Sequence, residues 1–217
     1  MIRGQPLGTA DELAPVAAEA DPEPATRPAP VETLGTDTGA SILAGVTSVF
    51  GLSMGLGLEE VTTWVEADPV PVTEHPELYL LPRVPDPNPD FEFYLGLIHE
   101  TVGLCEVRAV GQTIHTDPQG HAIRHAFHNN VSLLHNIFGP YELVDTSAER
   151  SEQGANTWMS DLHSGDIRLL AKWSESRNSR LGHDLQRVLL TIRPESEESA
   201  RLILQVTFSN FPVVEKP

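Results

Sequence analysis

A chain of 217 residues, 40% hydrophobic and 21% charged, has length for one large domain or two small ones, with some left over for disorder. Its formal net charge of −17 argues against nucleic acid as a ligand, because phosphate binding needs Lys and Arg to displace counterions; it favours a basic partner, or acidity kept for solubility alone. The single cysteine, Cys105, excludes a disulfide framework and any CxxC metal or redox motif, and is compatible with the cytoplasm.

At the N-terminus, Arg3 is followed by Pro6, Gly8, Asp11 and Glu12, where a secretory signal needs an apolar run, so no leader is expected. Residues 1–38 are rich in Ala and Pro and set seven carboxylates against two arginines. Such a segment has too little apolar surface to offset the entropy of ordering it, and reads as an acidic tail or as an arm that docks on a partner. Residues 39–213 are expected to form one α+β domain. Residues 39–58 carry no charge until Glu59 and contain the Gly51-x-x-x-Gly55 spacing, so a membrane-tethered module is one alternative. Five glycines, acidic flanks and no Lys or Arg to orient it speak against insertion. A short strand around Ser48–Leu52 and a helix over 58–65 are expected instead, with Leu58, Val61, Thr62 and Val65 turned inward and Glu59 and Glu60 at its positive end.

Seven prolines between Asp68 and Asp90 leave room for one short strand at 78–81. Phe91, Phe93, Leu95 and Leu97 then alternate on one face; Cys105, Val107 and Ala109 follow inward, with Glu106 and Arg108 outward. Cys105 accordingly reads as an inert core residue. Over 120–140, Ile123, Phe127, Val131, Leu134 and Phe138 recur at helical spacing, and Gly139-Pro140 closes the helix. The opposite face carries His121, His125, His128 and His135 and is expected to meet solvent. Strands follow at 141–144, 167–173, 185–193 and 202–208, the last three as a meander, while 158–163 suits either a strand or one helical turn. Two helices and about six strands predict a two-layer α+β sandwich, an antiparallel sheet with both helices on one face.

Chemistry is harder to place. No G-x-S-x-G, G-x-G-x-x-G or G-x-x-x-x-G-K-[ST] motif occurs, and Gly51–Gly57 lacks the lysine of a phosphate loop. His121, His125 and His128 share one helical face and could clamp a divalent ion, with His115 or Asp117 as a further ligand; no Glu follows the first His as a zinc-protease helix requires. Incidental surface histidines and a pH sensor titrating near 6.5 are the other readings of that face. Trp158 and Met159, after a polar loop and near Asp161 and Asp166, have the composition of an exposed binding hot spot, against the alternative of a Trp capping the core.

The stretch Gly51-Leu52-Ser53-Met54-Gly55-Leu56-Gly57-Leu58-Glu59-Glu60-Val61 resembles the G-x-x-x-G-M-S-x-E-E-V opening of small helix-plus-meander domains, among them outer-membrane assembly lipoproteins and β-lactamase inhibitory proteins; Met54 is followed here by Gly, not Ser. Phe138-Gly139-Pro140-Tyr141, Trp158-Met159, Arg168–Trp173 and Phe208–Phe211 are similar to segments of uncharacterised bacterial proteins with toxin-immunity and other binding roles. The resemblance covers roughly residues 50 to 211 and implies a fold and a binding habit, with no catalytic residues and no cofactor. The resulting expectation is a non-enzymatic, cytoplasmic, immunity-like or inhibitor-like domain that binds a basic protein, the alternatives being a His-dependent metal enzyme and the membrane-tethered module.

Overall fold

In a computed structural model the described residues are 48–147, 158–174 and 181–212. They form eleven strands and three helices. Eight strands run in the order β3 (Val70–Val72), β4 (His75–Leu81), β5 (Phe91–His99), β6 (Gly103–Gly111), β11 (Ser199–Phe208), β10 (Leu185–Ser196), β9 (Leu169–Ser174) and β8 (Glu142–Asp145). A ninth, β7 (Ile114–His115), pairs with the start of β11, and every pairing in this sheet is antiparallel. A separate ribbon joins β1 (Ser48–Val49) to β2 (Leu52–Ser53). The helices are α1 (Leu58–Val65), α2 (His121–Phe138) and α3 (Trp158–Ser164).

This corrects the two-layer α+β sandwich with two helices on one face. The protein is mostly β: nine strands in one sheet and two in a ribbon, with helices that are few beside them. The pattern undercounted strands for a physical reason. Pro71 and Pro76 hide β3 and the start of β4, yet proline is tolerated near a sheet edge, where its missing N–H has no ladder bond to make. Residues 1–38, expected as an acidic tail, and 39–47 of the possible membrane segment lie outside the described residues. From Ser48 on, that segment is ribbon and turn, and no described helix is long and apolar enough to cross a membrane.

Register defines the two faces of the sheet. Tyr94, Ala109, Leu204, Leu190 and Ala171 lie in one row across β5, β6, β11, β10 and β9, all buried, and belong to a single apolar core. That core also takes in Val61 and Val65 of α1, the five-residue stripe of α2, and Trp158, Met159 and Leu162 of α3. On the other face the neighbouring row is Leu95, Arg108, Gln205, Leu189 and Lys172, each partly exposed and none part of the core. Phe93, Leu95 and Leu97 share the face that points away from the core while Tyr94 and Ile98 point into it; a register shift between Phe91 and Phe93 takes Phe91 out of that row and leaves it buried.

The ends of α2 are fixed by side chains and glycine. Asp117 Oδ1 accepts the His121 backbone N–H at 3.0 Å and Thr116 Oγ1 accepts that of Ala122 at 3.1 Å, satisfying donors a helix leaves open at its start. At the far end the Gly139 N–H returns to the His135 carbonyl at 2.8 Å, and Trp173 Nε1 donates to the Gly139 carbonyl at 3.0 Å.

Candidate functional site

The solvent-facing side of α2 is as expected: His121, His125, His128 and His135 are exposed, and the apolar stripe is buried. All four imidazoles are engaged locally, His135 packing edge-on to Tyr141. His121 Nδ1 lies 2.6 Å from Asp117 Oδ2, His125 Nδ1 is 3.3 Å from Asn129 Nδ2, and His128 packs edge-on to Phe127. Among the described residues no group of three His, Cys, Asp or Glu side chains could hold a metal ion, so His121, His125 and His128 are not assembled into one.

Trp158 and Met159 are not the exposed pair that composition suggests. Trp158 is 8% exposed and Met159 is buried, because residues 158–164 form a helix whose first turn packs under the start of α2. The Trp158 ring fills the space a side chain at Gly120 would need, and the Arg124 guanidinium sits 5.4 Å from its centroid. Asp161 lends its backbone carbonyl to the N–H groups of Asp166 and Ile167, closing α3, while the Asp166 carboxylate accepts the Ser164 hydroxyl at 2.9 Å.

The feature that does fit a docking site lies on α1. Trp64 is 57% exposed, the most exposed of the large apolar side chains. Val61 and Val65 hold the helix to the core with no exposure, and Glu60 reaches back to accept the Gly57 N–H at 2.8 Å, fixing the first turn. At a 100° step, Trp64 falls well off the Val61–Val65 stripe. That displacement is the sequence signal that could have found it: an aromatic residue on the polar flank of a short amphipathic helix. Leu58, expected inward, is instead 40% exposed and lines a groove of about 420 Å³ with Gly57, Tyr79, Ile98, Glu77, His99 and Glu100. The groove has an apolar floor and a carboxylate rim, and His99 Nε2 stands 3.8 Å from Glu77 Oε1. Glu59, Glu60, Glu66 and Asp68 are exposed on and after α1, and among the described residues their one ion pair is Glu66–Arg83 at 3.7 Å. The groove, which Trp64 does not line, can take up an apolar side chain flanked by basic ones, and Trp64 offers a second apolar contact on the other flank of α1.

No family model, curated protein or solved structure matches the chain. The fold and site thus define a mostly β protein with an exposed tryptophan and exposed carboxylates on α1, and the likeness to helix-plus-meander binding proteins rests on the short motifs alone.

Proposed function

We propose that this chain is a protein-binding domain, of the immunity or inhibitor kind, that captures a basic protein on the α1 face. Trp64 is the anchor, Leu58 and the adjoining groove receive an apolar side chain, and Glu59, Glu60, Glu77 and Glu100 steer and orient the partner's Lys and Arg. The observation that carries the reading is the exposure of Trp64 amid carboxylates. A tryptophan left in water on an otherwise ordered helix is the residue type that most often dominates binding energy, and an acidic surround speeds encounter with a basic partner.

The test is affinity capture with wild-type and Trp64→Ala baits side by side, at low and high salt. A stoichiometric basic protein held by the wild type at low salt, released at high salt and lost from the Trp64→Ala bait is the expected result. Equal retention by both baits, or no stoichiometric partner at low salt, overturns the proposal. Because Trp64 contributes little to the core, Trp64→Ala should change stability by no more than about 0.5 kcal/mol, which a denaturant titration checks.

A further inference from the structure

The open face of the sheet is unlike an ordinary solvated face. A half-buried apolar run crosses it by register from Leu80 of β4 through Phe93, Leu95, Ile203 and Leu189 to Val144 of β8, outside the core cluster, with Leu78 and Val110 buried among them. An antiparallel sheet that meets water on one side normally turns polar residues to it. With strands ~4.8 Å apart and a rise of ~3.3 Å per residue, the patch from β4 to β8 covers on the order of 600 Å² in projection, before side-chain relief is counted. That approaches the roughly 800 Å² per partner of a standard interface.

Charge decides what can cover it. On a molecule of net −17 this face carries five cations, Arg108, Lys172, Arg187, Arg193 and Arg201, against four carboxylates, Glu92, Glu106, Glu142 and Glu195. Most are already neutralised in place. Glu106 accepts from Arg108 at 2.6 Å, from Gln205 at 2.6 Å and from Thr207 at 3.2 Å, and Arg201 pairs with both Glu195 and Glu92. Arg193 is exposed and has no ion pair among the described residues. Two copies of so acidic a chain meet with least repulsion through this face.

We infer that the open sheet face is the interface with a second copy of this chain, packed sheet on sheet about a two-fold axis that runs along the strands between β6 and β11. The register chooses that axis. It lays β6 on β11 of the second copy and β5 on β10, so that Val110 meets Ile203, Leu95 meets Leu189, and the unpaired Arg193 meets Glu92. An axis across the strands at Leu190 would instead stack Arg187 on Arg193, like charge on like. The first arrangement is the aligned sandwich, with strand directions within about 30° and sheets ~10 Å apart. The two α1 docking faces play no part in it, so the dimer stands or falls independently of the partner proposal.

The experiment is sedimentation equilibrium of the full chain. The wild type should show twice 23.7 kDa at micromolar concentration. Leu189→Glu should give a monomer. Arg193→Glu, an exposed position that leaves folding intact, should raise the dissociation constant by about tenfold, and the swap Arg193→Glu/Glu92→Arg should recover much of the loss. Trp64→Ala should leave the mass unchanged. A wild-type monomer throughout, an assembly larger than two, or a dimer indifferent to both Leu189→Glu and Arg193→Glu overturns the inference.

Discussion

At Gly103 the backbone takes φ +71°, and a Cβ there would stand 2.2 Å from the Gly55 carbonyl oxygen and 2.9 Å from that of Leu56. Both are main-chain atoms of the segment leading into α1, held there by the Leu104 N–H to Leu56 carbonyl bond at 2.8 Å. Gly103→Ala should therefore destabilise the fold by at least about 2 kcal/mol, read from a thermal or denaturant midpoint. Asp117 carries a pH dependence of known sign. The His121 backbone N–H, then the His121 ring, hold its carboxyl below the usual value. Its stabilising contribution is thus present above the unfolded carboxylate's titration range and is lost as pH falls through the lower folded value. Asp117→Asn should lower stability at neutral pH and cease to matter in strong acid, a convergence that paired denaturation curves would reveal. Burial, then the nearby Glu106 carboxylate, pushes the Cys105 thiol up to about 11, and its Sγ donates to the Leu97 carbonyl at 3.4 Å. Iodoacetamide at pH 8 should label it only after unfolding. That inertness was legible from alternation alone. The burial of Trp158 was not, because it depends on Gly120, thirty-eight residues earlier, leaving a space the indole fills.

Among the elements, α2 was the most legible, since a long helix with one apolar stripe admits one facing, and all five stripe residues are buried as read. Leu134→Ala should cost about 2–5 kcal/mol by cavity formation, whereas Leu133→Ala on the exposed side should fall within about 0.5 kcal/mol; chemical denaturation of the two variants separates them. Strand β5 shows the limit of pattern reading. Its alternation is legible but its facing is not, because both of its faces are apolar and a period of two has no sign. The same ambiguity hid the open face and with it the surface assigned to self-association. On α1 the boundaries of the helix were legible, but the groove beside Leu58 was not: Tyr79 and Ile98 reach it from β4 and β5, and Glu100 from the turn after β5.

Over the whole molecule, local signals located most strands and missed how many of them join one sheet. The hairpins β5–β6 and β10–β11 are sequence neighbours, but the pairing that unites them matches Val107 with Val206. No period or turn motif reports a pairing of that separation, and for this reason a mostly β protein read as an α+β sandwich. The two proposed contacts should answer oppositely to salt. A basic partner on α1 binds more weakly as ions screen attraction, while two copies of net charge −17 associate more readily as ions screen repulsion. Titrating ionic strength while following both equilibria distinguishes them.

The junction of β6 with β11 also has a temporal consequence. As the chain leaves the ribosome, β3 to β6 can zip up while the strand that must shield the flank of β6 is still unsynthesised. Until β11 has been made, an apolar ladder waits with its hydrogen-bonding groups unclaimed, an invitation to misassembly that chaperones would have to guard against.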